Sequence, residues 1–180
     1  MRAFDPASLP TLRGQKVVLR PITLEDTGWI VKWRNSPVVK KNFIYRGEMT
    51  PQVHENWMKT RVYTGQVVQY IIQDVRTGSP VGSVYFRDLE PEHDSAEYGI
   101  FIGEPSARGC GLGPETARLF VEFGLQWLGL HRISLRVLSG NDGAYRSYEK
   151  AGFQKEGVFR HMVKLDGQYR DVIFMAVLAE

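Results

Sequence analysis

A glycine-rich turn near the middle of the chain separates a pattern typical of a strand from a pattern typical of a helix. The turn reads Arg108-Gly109-Cys110-Gly111-Leu112-Gly113-Pro114-Glu115. An apolar run over residues 98–102 precedes it, and apolar positions at helical spacing follow over residues 115–128. Glycine lets backbone N–H groups approach a ligand closely, and a helix N-terminus favours negative charge. The turn therefore predicts an anion site, for which a diphosphate is the natural ligand.

The apolar patterns on either side of this turn predict one α+β (mixed α/β) domain. Apolar runs predict strands at 16–20, 67–73, 81–86, 96–102, 131–138, 157–164 and 169–178. Helical spacing, capping residues and prolines predict helices before Pro37, after Thr50-Pro51, over 115–128 and over 142–150. The strand–turn–helix–strand unit predicts a right-handed parallel crossover. We expect an irregular lead-in over residues 1–15 and a single domain over residues 16–180.

The composition narrows the classes of function. The chain has 180 residues and a formal net charge of +3, and its scattered basic residues disfavour nucleic-acid binding. Cys110 is the only cysteine, so no internal disulfide can form, in agreement with a reducing compartment. Neither a signal-peptide pattern nor a membrane-length apolar run is present. The histidines lack metal-ligand spacing. We expect a cytoplasmic protein that uses no metal and binds neither nucleic acid nor membrane.

Three motifs follow one another along the chain. They are Arg108-x-x-Gly111-x-Gly113, then Asn141-x-x-Ala144-x-x-x-Tyr148-Glu149-Lys150-x-Gly152-Phe153, then Glu156-Gly157 with Gly167-Gln168-Tyr169-Arg170-Asp171. Together they resemble the GCN5-related N-acetyltransferase (GNAT) family, and the third resembles its branch of ribosomal-protein (RimJ/RimL-like), spermidine and amino-sugar acetyltransferases. The resemblance implies the GNAT fold, a mixed sheet of about seven strands that splays between strands 4 and 5, with about four flanking helices.

The resemblance also implies an N-acetyltransferase that binds acetyl-CoA as its co-substrate. The CoA diphosphate would be held by the backbone of Arg108, Gly109, Cys110, Gly111, Leu112 and Gly113. The pantetheine arm would be held by Phe101, Ile102, Gly103 and Asn141. Tyr148 would lie near the sulfur and protonate the departing thiolate, a role that suits a phenol.

Three of these residues also have simpler interpretations. Tyr148 could be a core side chain, and Asn141 could cap the helix that starts at Asp142. Cys110 invites the idea of a covalent acetyl-enzyme. Because it lies in the predicted diphosphate turn, away from the thioester, we expect direct transfer instead.

The acceptor amine must lose a proton before it can attack, because an alkyl ammonium near pKa 10 is about 0.1% neutral at pH 7. Glu97, one strand-length before the glycine turn, is the first candidate for the base. Its side chain points to the face opposite Tyr98, and the pleat decides whether that face is the cleft. His54 and Glu55 are weaker candidates.

The region of the first two helices resembles the acceptor site of enzymes that acetylate amino sugars on nucleotide carriers. The residues concerned are Trp33, Asn35, Phe43, Tyr45 and His54. A phosphate-bearing acceptor would suit the neighbouring cations Lys40, Lys41 and Arg46, which argue against a polyamine. We therefore expect a small-molecule primary amine, with a nucleotide-linked amino sugar as the first choice.

Other functions stay open at this point. The first alternative is a protein N-terminal acetyltransferase of the ribosomal-protein type, and the second is a polyamine acetyltransferase. A non-catalytic acetyl-CoA-binding module would belong to a different class, and the presence of Tyr148 argues against it. A homodimer is compatible with the sequence.

Overall fold

A single mixed sheet of eight strands runs through the computed structural model, which describes residues 1–180. The strands are β1 (Leu12–Arg13), β2 (Val17–Pro21), β3 (Val68–Asp74), β4 (Pro80–Glu90), β5 (Ser95–Ile102), β6 (Arg132–Leu138), β7 (Gln154–Leu165) and β8 (Gln168–Leu178). The helices are α1 (Thr27–Asn35), α2 (Pro37–Lys40), α3 (Pro51–Trp57), α4 (Leu112–Glu122) and α5 (Asp142–Lys150). None of these helices has the length and apolar character that crossing a membrane requires.

The sheet opens between β5 and β6, the one parallel pair in the order β1-β2-β3-β4-β5-β6-β8-β7. Residues 95–97 of β5 pair with residues 132–134 of β6, and beyond them the two strands diverge. From there β5 continues on β4 as far as Ile102, and β6 continues on β8 as far as Leu138. The predicted splay is confirmed. The structure has one strand and one helix more than the seven strands and four helices that were predicted. The additional strand is the short β1, and the additional helix is α2, which starts at Pro37 directly after α1.

The N-terminal residues 1–15 are more ordered than the sequence predicted. Leu12 and Arg13 pair with β2, and the backbone oxygen of Pro10 accepts a hydrogen bond from the Tyr70 hydroxyl at 2.9 Å. Phe4 and other apolar side chains of this segment pack against the main core. The lead-in is therefore part of the domain, because its apolar side chains gain burial there.

The two faces of β5 are covered by different helices. Tyr98 packs against Phe120 of α4, with 6.4 Å between ring centroids. Phe101 packs against Trp33 of α1, with 6.3 Å between ring centroids. Successive side chains alternate across a strand, so Glu97 shares the face of Phe101. The pleat thus places Glu97 toward α1 and α3, the layer predicted to bind the acceptor.

A buried ion pair fixes the start of α1. The Asp26 carboxylate accepts hydrogen bonds from the Arg20 guanidinium at 2.6 and 2.8 Å and from the Thr23 N–H at 2.9 Å. Burial opposes ionisation of Asp26, but these donors outweigh it and hold its pKa below the usual range. Thr23 and Asp26 thereby form a capping box, which positions the helix that covers the acceptor layer.

Candidate functional site

One large cavity passes through the splay and connects both faces of the sheet. Its volume is about 1110 Å³, enough for a long ligand together with a second molecule. One half is walled by the glycine turn, the edge of β5 and α5. The other half is walled by α1, α3, the segment 42–49 and the α1-facing side of β4 to β6. We call these the cofactor half and the acceptor half.

The glycine turn has a run of free backbone donors, and four of the five residues concerned line the cofactor half. No carbonyl or side chain of the protein accepts the backbone N–H groups of residues 109–113. Gly109 and Gly111 hold left-handed φ angles of +73° and +80°, which glycine adopts without strain. No side chain caps α4, which starts at Leu112. Five free N–H groups at a helix N-terminus make a site for a diphosphate.

The side chains of the turn mostly support its backbone. Arg108 donates to the backbone oxygen of Ile102 at 2.7 Å, and its buried Nε has no partner. Burial lowers the pKa of Arg108. The Cys110 thiol lies near the carbonyl of Arg108 at 3.6 Å, packs against the core and does not line the cavity. Cys110 is therefore not part of the cavity wall, although its backbone N–H has no acceptor within the protein.

The backbone groups that β5 leaves free at the splay are shifted by one residue from those predicted to hold the pantetheine arm. Gly103 donates its N–H to the carbonyl of Val81 at 2.7 Å, so that N–H is not free. Hydrogen-bonding direction alternates along an antiparallel strand, so Phe101 also bonds toward β4, while the N–H groups of Ile100 and Ile102 face the splay. Of the predicted residues, Ile102 offers its backbone, and Phe101 lines the cavity with its ring. Ile100 was missed, although counting back two residues from Ile102 would have found it.

Tyr148 lies on the cavity wall at the cofactor half, near the bottom of the splay. Its ring packs edge-on against Tyr98, with centroids 5.9 Å apart, and against Phe153. Burial raises its pKa well above the ordinary value, so the phenol keeps its proton. Asn141 makes no capping hydrogen bond to α5 and lines the same half. Tyr148 is thus both a core side chain and a residue of the cavity wall. Asn141 occupies the N-cap position of α5, but its side chain makes no capping hydrogen bond.

Glu97 reaches the acceptor half, but two arginines engage it. Arg87 approaches its Oε1 at 2.6 Å and Arg136 approaches its Oε2 at 3.0 Å. Glu97 is the only carboxylate that lines the cavity. Neither arginine was predicted as a site residue, because both reach Glu97 only through the pairing of β4, β5 and β6. A carboxylate held by two guanidinium groups is less free to act as a base than the sequence suggested.

The predicted acceptor residues Phe43 and Tyr45 line the cavity and contact arginines. The Arg34 guanidinium stacks on the Phe43 ring, with its Cζ 3.7 Å from the ring centroid. Arg87 lies over the Tyr45 ring, with its Cζ 5.8 Å from the centroid. Cation–π stacking of this kind fixes the plane of a guanidinium. The segment 43–45 thus holds two cations at the wall of the acceptor half.

Two predicted acceptor residues lie outside the cavity wall. Trp33 is 1% exposed, and its indole N–H donates to Glu104 at 2.7 Å. The Asn35 amide bonds both backbone groups of Met49, at 2.7 and 2.9 Å. The burial of Trp33 and the two hydrogen bonds of Asn35 to Met49 show that these side chains hold α1 and the segment 42–49 in place. The aromatic ring of Trp33 and the amide of Asn35 contact other parts of the protein instead of a ligand.

His54 lines the acceptor half as a neutral imidazole. Its Nδ1 lies 2.9 Å from the Thr27 hydroxyl, and that hydroxyl donates its hydrogen to the carbonyl of Leu24 at 2.7 Å. The Thr27 oxygen must therefore accept the Nδ1–H, which leaves Nε2 unprotonated. Burial lowers the pKa of His54, and the buried Nε2 has no partner.

The cations predicted to bind phosphate do not face the cavity. Arg46 pairs with Asp166 in the β7–β8 turn at 2.5 Å and donates to the carbonyls of Phe43 and Lys41. Lys40 and Lys41 do not line the cavity either. Arg46 instead ties the segment 42–49 to the tip of the β7–β8 hairpin. The structure therefore does not bring these three cations to the acceptor half of the cavity.

Tyr85 and Gly99 form a part of the acceptor wall that the sequence analysis did not single out. They are directly opposite in the β4–β5 ladder, and a Cβ at Gly99 would overlap the Tyr85 ring. We expect Gly99→Ala to displace this ring and to lower kcat/KM for the acceptor about 10- to 100-fold, as misplacement by an ångström can. Acetyl-CoA binding should not change.

The control for Gly99→Ala is Gly28→Ala in α1, where an added Cβ meets nothing within 4 Å. Steady-state kinetics and an acetyl-CoA thermal shift measure both variants. Unchanged acceptor kinetics in Gly99→Ala would contradict a role for Tyr85 in the wall.

Comparisons with known proteins cover most of the chain. The sequence model of the family described as "Acetyltransferase (GNAT) domain" matches residues 16–154. Spermidine N(1)-acetyltransferase of Escherichia coli (strain K12) is 28% identical over 162 residues, 89% of this chain and 85% of the relative. An uncharacterized N-acetyltransferase, p20, of Bacillus licheniformis is 25% identical over 177 residues, 94% of this chain and 97% of the relative. The crystal structure of spermidine N-acetyltransferase from Vibrio cholerae in complex with CoA and spermine superposes with a TM-score of 0.85 at 23% identity, over 92% of this chain and 96% of that one.

Proposed function

The chain belongs to the GNAT acetyltransferase family, and on that premise we propose that it moves an acetyl group from acetyl-CoA directly to a primary amine of a small molecule. The observation that carries this proposal is the cavity through the splay, which joins the glycine turn to a second, separate wall. The turn has five free N–H groups, four of them on residues that line the cavity. The family assignment makes the protein an acyltransferase. The residues assigned below to binding and catalysis are our proposal.

The cofactor half has the chemistry that CoA requires. The N–H groups of residues 109–113 would hold the diphosphate, helped by the dipole of α4. The N–H groups of Ile100 and Ile102 and the unbonded Asn141 side chain would hold the pantetheine arm, while the Ile102 carbonyl is already bonded to Arg108. Acetyl-CoA supplies an activated thioester, and a free strand N–H at its carbonyl oxygen would stabilise the charge that develops there.

Tyr148 is the proposed general acid. The amine nitrogen forms a bond to the thioester carbonyl carbon, the carbon–sulfur bond breaks, and the phenol proton passes to the sulfur. Because burial raises the pKa of Tyr148, this proton is present before the reaction. Its position on the cavity wall favours the acid over a purely structural role.

Glu97 remains the proposed acceptor of the amine proton, since no other carboxylate lines the cavity. The guanidinium groups of Arg87 and Arg136 occupy most of its lone pairs. We therefore expect Glu97 to orient the amine and to pass the proton on to water. The neutral His54 at the same wall is the alternative base.

Two acceptor classes compete. A nucleotide-linked amino sugar agrees with the cationic acceptor wall, although different residues provide the charge than the sequence suggested. A polyamine is the second candidate, because the spermidine enzyme of Escherichia coli is a relative. A ribosomal-type N-terminal substrate, the RimJ/RimL-like branch, a homodimer and a cytoplasmic location stay predictions.

A thermal-shift and thiol-release panel tests this function. We expect acetyl-CoA to raise the melting temperature. At a concentration 100 times Kd it should add about 2.7 kcal/mol to the free energy of unfolding. We also expect a UDP-linked amino sugar to release thiol faster than spermidine, an Ala-initiated peptide or an aminoglycoside. No thermal shift with acetyl-CoA would contradict the cofactor assignment, and faster release with spermidine would reverse the order of the acceptors.

A further inference from the structure

Four cations and one carboxylate line the acceptor half of the cavity. The cations are Arg34, Arg61, Arg87 and Arg136, and the carboxylate is Glu97. Glu97 is shared by two of the arginines, Arg87 and Arg136. Arg61 bonds the neutral side chain of Gln66 at 2.6 Å, and Arg34 has no carboxylate partner. The wall therefore carries an excess of positive charge in the absence of substrate.

Arg34 makes one long hydrogen bond and no ion pair. Its Nη2 reaches the carbonyl of Tyr45 at 3.3 Å, and its Nε is buried with no acceptor. Burial lowers its pKa, and the nearby Arg87 cation acts in the same direction. No carboxylate neutralises this partly buried guanidinium, and it lines the cavity, so its charge is available to an anion bound there.

We propose that Arg34 binds an oxyanion carried by the acceptor, so that the substrate is an amine that also bears a phosphate or a carboxylate. This inference rests on the proposed function and adds the charge class of the acceptor to it. The planar fork of a guanidinium matches either oxyanion with two parallel hydrogen bonds. The stack on Phe43 holds that fork in one plane before the substrate arrives.

The position of Arg34 sets the orientation of the acceptor in the cavity. Arg34 lies on α1, and Arg87, the next cation along the wall, lies on β4. The amine must reach the splay, where β5 leaves β6. The oxyanion of the acceptor thus points toward α1 and its amine points toward Tyr148. A polyamine would instead bring its additional cations against the arginines, which disfavours binding.

Matched acceptor pairs test the inference on the unmodified protein. One pair is a UDP-linked amino sugar and the same sugar without the nucleotide diphosphate. The other is an amino acid with a free side-chain amine and its carboxamide. We expect the charged member of at least one pair to have a KM about 10- to 100-fold lower, the range for a hydrogen bond to a charged group. The pair that shows the difference identifies phosphate or carboxylate.

Variants of α1 then assign the effect to one residue. We expect Arg34→Met to abolish the difference within that pair and Arg34→Lys to restore it in part. Lys32→Met is the control, since Lys32 is an exposed cation of the same helix that pairs with Glu104 outside the cavity. It should behave like the unmodified protein.

The possible results distinguish the oxyanion-binding role of Arg34 from the acetyltransferase activity on which it rests. Equal KM values within both pairs, with measurable thiol release, would overturn the inference and leave the acetyltransferase intact. A difference that persists in Arg34→Met would also overturn it. Thiol release from no acceptor, or no thermal shift with acetyl-CoA, would overturn the proposed function instead.

Discussion

Tyr148→Phe is expected to lower kcat by about 10²- to 10⁴-fold, the usual contribution of a general acid, with little change in acetyl-CoA affinity. The substitution removes the hydroxyl and keeps the ring that packs against Tyr98 and Phe153. The fold and the cofactor half should therefore persist. Steady-state kinetics by thiol release and a thermal shift with acetyl-CoA give the two readouts.

The matched control for this variant is Tyr145→Phe, one turn earlier on α5 and away from the cavity wall. It should keep full activity. The pH profile is a second check: because burial raises the pKa of Tyr148, the acid stays protonated above pH 10. The rate of the unmodified protein should rise from pH 7 to 10 as more acceptor amine loses its proton. Unchanged kcat in Tyr148→Phe would remove the acid role.

The second large effect is expected for Gly111→Val, which should lower acetyl-CoA affinity at least about tenfold. A side chain at φ +80° costs about 1–2 kcal/mol, and more when it is β-branched. The added Cβ would also lie 3.0 Å from the Lys16 ammonium. Relief of this strain would rotate the free N–H groups away from the diphosphate. Calorimetric titration with acetyl-CoA measures the loss.

Gly78→Val separates loss of binding from loss of stability. Gly78 has φ +69° in the β3–β4 turn, and a Cβ added there would meet nothing within 4 Å. It should therefore lose similar stability and bind acetyl-CoA normally. Equal acetyl-CoA affinity in the two variants would contradict the assignment of the glycine turn to the diphosphate.

The parts of the site that were predictable from sequence are those that depend on local geometry. The glycine turn is a single turn, and Asn141 and Tyr148 lie at the start of α5 and within it, so their spacing indicates their placement. Glu97 could be named, but its partners Arg87 and Arg136 come from two other strands. Sequence spacing contains no information on such long-range pairings before the strand order is known.

Hydrogen bonds and ion pairs within the protein account for most of the acceptor residues that do not face the cavity. Trp33 and Asn35 have side chains that bind ligands in many proteins, but here they satisfy groups of the protein itself. Arg46 similarly bonds Asp166 across 120 positions in the chain. Arg34, next in the chain to Trp33, faces the cavity because neighbouring helix positions point about 100° apart. A single step along the helix thus separates a core residue from a site residue.

The division of the cavity by the splayed sheet has a consequence for how specificity can change. No residue of α1, α3 or the segment 42–49 contributes to the row of free N–H groups at the glycine turn. We therefore expect substitutions among Arg34, Phe43 and Tyr45 to alter which amine is accepted while acetyl-CoA affinity stays the same. Because the sheet separates the two walls, we expect acceptor specificity to change during evolution while acetyl-CoA binding is kept.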